Sequence, residues 1–450
     1  MLEKILTLND PLPEDVQKAK DFGDFERAQR LIDLYLNDPM TPVFLKDRLI
    51  TEKEVLRRLP LYYPYTETQA LALVQKEIPD FTMEDLHHYE DIKAADWIYV
   101  NGEVHLQCRF FASMQKVWAE IAEKCGAPLT KENKLLDETI AEMKEKGSVS
   151  WHIHLKASVK IKDEYFHPGK VLVHLPLPAL SQNMSNIHIL SHSDNAFIDK
   201  EDSLSRTIAF SEDMQENHPF FVEYEYDSTV KYHENKHIPT ETESFLTNEE
   251  YPQIVFTPAI KALCAELSAG LSDPYEKAWA FYKYCCENVT YAFMREYMTL
   301  GNICEYAANQ RIGDCGVKAL LFITLCRCAG IPAHWQSGLY VPCDRVGNHD
   351  WAMFYVKPYG WLFADPSFGG SAYRVKNFER EKYYFGNLDP FRMAANNAFQ
   401  QEFALPKKWW RADPYDNQSG EIEYEDEGLL RRQFDADRTI IEMHKNSYNA

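Results

Sequence analysis

Cysteine pairs spaced as CxxC are absent, although the chain holds ten cysteines. Zinc ribbons and dithiol redox motifs need that spacing, so both are excluded. Long apolar runs are absent too. The longest, such as Ala319–Cys326, fall far short of the ~20 residues that span a bilayer. Basic charge is in deficit: Lys plus Arg number 48 against 69 Asp plus Glu, a formal charge of −21. Phosphate backbones and anionic membranes would be repelled, so neither nucleic acid nor membrane is an expected partner. Internal repeats are not visible. The opening MLEKILTLNDPLPEDVQ has neither the basic start nor the apolar stretch of a secretory signal. A soluble, cytoplasmic protein is therefore expected, its cysteines reduced and mostly packed as small core hydrophobes.

What is present is an ordinary globular composition. Hydrophobic residues make up 45% and aromatics 13% of the 450 residues. The length suggests about three domains. Residues 1–148 read as a mainly helical N-terminal region, with apolar residues at helical spacing in 25–36 and 67–78. Asn101-Gly102 interrupts it as a tight hairpin turn. From Val149 the period becomes two: Val149, Trp151, Ile153 and Leu155 alternate with polar residues, as do Val222, Tyr224 and Tyr226. An antiparallel β domain over 149–240 is expected. After a polar linker, Thr257-Pro258 and Asp273-Pro274 read as helix starts of a third unit, 250–370. The aromatic-rich C-terminal extension, 371–450, is expected to pack on that unit.

The chemistry concentrates in RIGDCGVKALLFITLCRCAGIPAHWQSG and NHDWAMFYVKPYGWLFADPSFGG. Gly313-Asp314-Cys315-Gly316 puts a thiol at the start of a helix whose following turns are apolar almost all round, hence buried. There the macrodipole and unpaired N–H groups favour a thiolate and can hold an oxyanion. Asp314, the expected N-cap, opposes this with its charge. His349 opens one strand and Asp365 closes the next, with Lys357-Pro358-Tyr359-Gly360 as the turn between them. Side chains alternate along strands, so the two share a face only if the loop is odd or a bulge intervenes. Given that, the carboxylate can orient the imidazole and the imidazole can deprotonate the thiol.

This stretch resembles the transglutaminase-like superfamily, whose core is papain-like. The resemblance rests on the helix-capping cysteine in GDCG, the exit Gly330-Ile331-Pro332-Ala333, the strand Trp335–Gly338, His349 with Trp351 two residues on, and Trp361 ahead of Asp365-Pro366. It implies Cys315 as nucleophile, His349 as base and Asp365 as orienter. The implied fold is α+β: a papain-like transglutaminase core with a preceding small β domain and a helical N-terminal region. The implied activity is cysteine-dependent amide processing of a peptide or protein substrate, by hydrolysis or acyl transfer through a thioester, without cofactor or metal. Tyr291 and Tyr297 are both candidates for the aromatic side chain that helps hold the oxyanion in some members, and Trp351 is a further cleft candidate. The acidic stretch Asp413–Glu427 lacks the spaced oxygen ligands of a calcium loop.

Two other readings stand beside this one. His233-Glu234-Asn235-Lys236-His237 fits the zinc-peptidase pattern H-E-x-x-H, which works only on a helix, where both imidazoles share a face. Its flanks are strand-like, and Pro239 follows closely, which favours a solvated loop. His152 and His154 share a strand face, more simply as surface than as a metal pair. The third reading is a non-catalytic binding module on a transglutaminase-like scaffold.

Overall fold

The computed structural model describes residues 2–234 and 239–446. Among them no helix is long and apolar enough to cross a membrane. The N-terminal region is helical, as the 3.6-residue spacing predicts. Its helices include Phe25–Asn37, Glu67–Val74 and Phe110–Val117. Asp24 and Thr66 cap the first two through side-chain oxygens that accept from Arg27 N and Gln69 N. Asn101 and Gly102 take positive φ, 51° and 81°, between the paired strands Trp97–Val100 and Glu103–Leu106. The region has two apolar clusters of its own, one around Ile32 and Leu49 and one around Leu86, Phe110 and Met114.

Six strands follow: β1 (Ser148–Ile161), β2 (Gly169–Pro176), β3 (Met184–His192), β4 (Ala196–Ile198), β5 (Thr207–Met214) and β6 (Phe220–Lys231). Alternation places Val149, Trp151, Ile153 and Leu155 of β1, and Val222, Tyr224 and Tyr226 of β6, in the interior. On the outer face, His152 meets Asp227 at 3.0 Å and His154 meets Glu223 at 2.8 Å, which accounts for both imidazoles without a metal.

The third unit contains helices α1 (Pro258–Leu267), α2 (Pro274–Glu287), α3 (Ile303–Gln310), α4 (Cys315–Cys328) and α5 (Pro366–Arg374). Its strands are β7 (Ala333–Tyr340), β8 (Gly347–Val356), β9 (Gly360–Ala364), β10 (Phe385–Gly386) and β11 (Arg392–Asn396). They form an antiparallel sheet in the order β10-β9-β8-β7-β11. Helix α4 lies against β7 and β8 on one side and α2, α3 and α5 on others. Leu320, Leu321, Phe322, Ile323 and Leu325 have no exposed surface. Burying each such side chain stabilises the fold by roughly 1.5–3 kcal/mol, so the cysteine-bearing helix is anchored by its own length.

The segment 371–450 departs from the expected extension over the core. Its first part supplies β10 and β11, the two outer strands of the core sheet. Its last part returns to the β unit as β12 (Glu421–Tyr424), paired with β2, and β13 (Phe434–Lys445), paired with β1. Two four-stranded sheets result, β12-β2-β5-β4 and β13-β1-β6-β3, around an apolar core continuous with that of α4. Strand β13 carries its buried positions only sparsely, so its alternation is weak in sequence. A chain ending at residue 370 should therefore lose edge strands from three sheets at once. It is expected to show no cooperative thermal transition by circular dichroism, where the full chain shows one.

Candidate active site

Asp314 is the N-cap of α4, its Oδ1 accepting from Val317 N at 3.2 Å, and Cys315 is the first helical residue. Gly316 is required where it stands. A Cβ there would lie 2.2 Å from Tyr297 Oη, 2.8 Å from Asp350 Oδ2 and 2.9 Å from the Trp335 ring. The helix start is thus pressed against the sheet and against the 291–297 segment.

The β8–β9 hairpin has the odd loop that the parity argument demands. Val356 pairs with Gly360, leaving Lys357-Pro358-Tyr359 as three loop residues. Ala352 pairs with Ala364, so the register sets Asp365 opposite Trp351, on the same face as His349. His349 Nε2 lies 2.7 Å from Asp365 Oδ2. With that nitrogen donating, a neutral imidazole keeps its acceptor lone pair on Nδ1. Asp365 also caps α5, its Oδ1 accepting from Ser367 N at 3.1 Å and Phe368 N at 2.8 Å. Arg392 Nη1 stands 2.9 Å from Asp365 Oδ2, and its Nη2 2.7 Å from Asp389 Oδ2, all three residues having no exposed surface. Burial alone would raise the Asp365 carboxyl. His349, Arg392 and the hydrogen bonds outweigh it and hold Asp365 at about 2. Burial lowers the His349 imidazole below its ordinary range, against the pull of Asp365.

No hydrogen bond joins the thiol to this imidazole among the described residues. Cys315 Sγ donates to Asp350 Oδ2 at 3.1 Å, and among the described residues the imidazole hydrogen-bonds Asp365 alone. Burial, then the charges of Asp350 and Asp314, push the thiol well above its ordinary range. Asp350 is itself pushed up, by burial and by Asp416 and Asp314. Gln418 Nε2 holds it from the far side, donating to Asp350 Oδ1 at 2.5 Å and to the His349 carbonyl at 3.0 Å.

Cys315, His349, Asp350, Tyr291 and Tyr297 line one cleft of about 860 Å³. Trp351 does not: it is fully buried below His349, with Nε1 donating to Gln336 Oε1 at 2.8 Å, and Trp335 lines the cleft instead. The Tyr297 hydroxyl is engaged with Asp314 Oδ1 at 2.5 Å, whereas the Tyr291 ring carries Lys116 Nζ 4.0 Å from its centroid. The N-terminal region forms a wall of this cleft through Arg109 and Lys116. It is fastened there by Arg58 on Glu296 (2.7 Å) and by Ser113 Oγ, which accepts from Phe293 N (2.9 Å).

Sequence reasoning passed over Asp350, Arg392 and Gln418. Asp350 adjoins the histidine and was within reach of it. Arg392 and Gln418 lie in the segment read as an extension, where no spacing ties them to the site. Lys318 was visible as the one charge early in an apolar helix. It is fully buried, donates to Pro366 O at 3.4 Å, and burial brings its ammonium down to about 8. For the zinc pattern, His233 and Glu234 lie outside any helix, and His237 lies outside the described residues. The His233 backbone is bound in both directions by the Asn387 amide, at 2.7 and 3.0 Å. Among the described residues one trio of potential metal ligands converges, Glu67, His87 and Glu90, remote in sequence from this motif.

Cys315 at the start of α4, and His349 and Asp365 on the hairpin, all fall within a stretch that resembles known proteins. The family model described as the transglutaminase-like superfamily matches residues 261–366. The chain carries a transglutaminase-like core. At the level of that superfamily this is a fold of cysteine-type enzymes. No curated protein sequence matches the chain. Among solved structures, a candidate cysteine protease from Cytophaga hutchinsonii aligns at 14% identity and a TM-score of 0.38, over 66% of this chain and 90% of that one. The periplasmic domain of TgpA from Pseudomonas aeruginosa aligns at 15% identity and a TM-score of 0.28, over 54% of this chain and 94% of its own. A candidate protease from Parabacteroides distasonis gives 10% and 0.21, over 48% and 63%.

The ion pair of Asp365 has a pH signature. Its carboxyl falls from an ordinary 3.8 to about 2 on folding, which corresponds to roughly 2 kcal/mol of stability. A depressed carboxylate contributes fully above its unfolded value and is lost as pH falls through the folded one. Asp365→Asn should therefore lower Tm at pH 5–7, and the gap from the native protein should close between pH 4 and 2. An unchanged gap over that range would contradict the pairing.

Proposed function

We propose that the chain is a cysteine-dependent amide-processing enzyme acting on peptide or protein substrates, with Cys315 as nucleophile, His349 as base and Asp365 as orienter. The observation that carries this reading is the 2.7 Å bond from His349 Nε2 to Asp365 Oδ2 in the cleft that Cys315 also lines. It leaves Nδ1 as the proton acceptor. For reaction, Sγ turns from Asp350 towards Nδ1. The thiol proton passes to Nδ1 as sulfur bonds to the carbonyl carbon. The oxyanion is held by the free N–H groups at the start of α4, with Tyr291 as the candidate side chain, since the Tyr297 hydroxyl is occupied. The imidazolium returns its proton to the leaving amine as the C–N bond breaks. Water or a second amine then gives a proton to Nδ1 as its oxygen or nitrogen bonds to the acyl carbon, the C–S bond breaks, and the released sulfur takes the proton back from the imidazolium. Hydrolysis is favoured, because a cytoplasmic cross-linker without evident calcium control would be hazardous. All ten cysteines are unpaired, which supports a reducing compartment.

One observation favours a second reading, the binding module. A thiol held on a buried carboxylate is not the activated thiolate of a working enzyme. The two readings separate on turnover of a panel of fluorogenic peptide amides and of glutamine peptides with a primary amine. The enzyme reading expects turnover that falls at least a thousandfold in Cys315→Ala and about a hundredfold or more in Asp365→Asn, with Tm of the former nearly unchanged. No turnover across the panel would favour the module, and turnover that survives Cys315→Ala would overturn Cys315 as the nucleophile.

A further inference from the structure

One wall of the cleft is cationic in a chain of formal charge −21. Arg109 and Lys116, on the helix Phe110–Val117 and at its N-cap, and Arg374, the last residue of α5, converge there from opposite ends of the sequence. None of the three forms an ion pair among the described residues, although carboxylates outnumber cations in the chain by 69 to 48. They are seated on other groups. The Arg109 guanidinium lies 3.3 Å from the centroid of the Phe293 ring. Lys116 Nζ lies 4.0 Å from that of Tyr291 and 5.0 Å from that of Phe293. Arg374 Nη1 donates to the Lys116 carbonyl at 3.3 Å.

Cation–π seating fixes the position of a charge and leaves its N–H donors free. Three like charges held together without a counterion repel one another. Arg109 and Lys116 keep solvent-exposed surface and Arg374 is half-buried; partial desolvation, then Arg374 and Arg109, lowers the Lys116 ammonium, and the strongest opposing pull comes from Cys315. The three cations line the same cleft as Cys315, and none has a carboxylate partner among the described residues. The acidic side chains that line the cleft do not fill that place: Asp314, Asp350, Asp413, Asp416, Glu296 and Glu421 are engaged with Val317 N, Cys315, Tyr415 N, Ser337, Arg58 and Lys407 respectively.

We infer that Lys116, Arg374 and Arg109 form a carboxylate-recognition subsite, so that the preferred substrate is a peptide bearing an acidic side chain or a free C-terminal carboxylate close to the attacked amide. The inference rests on the amide-processing reading for the word substrate. The subsite itself rests on the three cations. Guanidinium and ammonium donors favour a carboxylate over its neutral amide isostere because an unpaired charge is left behind when the isostere binds.

Two measurements on the full chain test it. At pH 9, Cys315 is alkylated with iodoacetate and with iodoacetamide, and the rate ratio is followed by site-resolved mass spectrometry. The ratio should fall at least tenfold in Lys116→Gln combined with Arg374→Gln, melting temperatures showing that the variant is folded. In parallel, Cys315→Ala is titrated with three randomised tripeptide pools: one with Glu and an amidated end, one neutral with a free carboxylate, one neutral and amidated. One of the acidic pools should bind at least tenfold more tightly than the neutral amidated pool, which also identifies the source of the carboxylate, and the double variant should lose the preference. An unchanged alkylation ratio or equal binding of the pools would overturn the subsite; with Cys315 inert to both reagents, the pools alone decide. Absent turnover with the ratio and preference intact would instead reject the enzyme reading alone.

Discussion

Arg392 is sealed from solvent between two carboxylates, Asp365 and Asp389, and the geometry of the candidate site depends on it. A lone buried cation would be untenable. Here it is neutralised by charge and seated on the rings of Phe368 and Tyr340, at 4.1 and 4.8 Å. The assembly ties β11 to the end of β9 and to α5. Its formal charge, with His349 neutral, is one negative unit. An imidazolium formed at His349 would bring that to zero. The site thus opposes protonation of the imidazole by burial and welcomes it by charge, which suits a group that must hold a proton only transiently.

On the other side of the cleft the balance runs the opposite way. Asp350 and Asp416 are buried and Asp314 is half-buried beside them, and the carboxyls of all three are raised. They oppose a thiolate at Cys315 more strongly than the start of α4 favours one, since burial and two carboxylates act together on the sulfur. The structure therefore describes the resting thiol, bonded to Asp350 and braced through Gln418 from the C-terminal segment. On the proposed reading, reaction has to break one bond, Sγ to Asp350, and make another, Sγ to His349.

How much of this could be read from sequence follows from how local each signal is. The cap Asp314, the buried α4 and the strand pair 347–364 are set by contiguous residues and so were legible. The parity of the hairpin loop was only a condition the chemistry imposed: the sequence offered Lys357-Pro358-Tyr359-Gly360 as the turn, and Gly360 instead pairs with Val356. His349 and Asp365 meet because that parity is odd. The Cys315–Asp350 bond was not foreseen, because adjacent strand residues point to opposite faces and only the approach of the Gly316 backbone admits the carboxylate. Trp351 was misplaced for a related reason: sharing a face with His349 does not give it a place at the cleft. The pairing of β12 and β13 with strands more than two hundred residues earlier carries no local mark, and neither does the docking of Arg109 and Lys116 against 291–297.

The account turns on whether the Cys315 thiol is coupled to His349 and restrained by Asp350. The most direct measurement is the pH dependence of iodoacetamide alkylation at Cys315. It is resolved by site, because the Cys328 thiol is lowered by its hydrogen bond with Cys264 and would react alongside. In the native protein the rate should rise only above the ordinary thiol range. In Asp350→Asn the rise should move to markedly lower pH, and adding His349→Gln should reverse much of that shift. A native profile already reactive below neutral pH, or an Asp350→Asn profile indifferent to His349, would contradict the account.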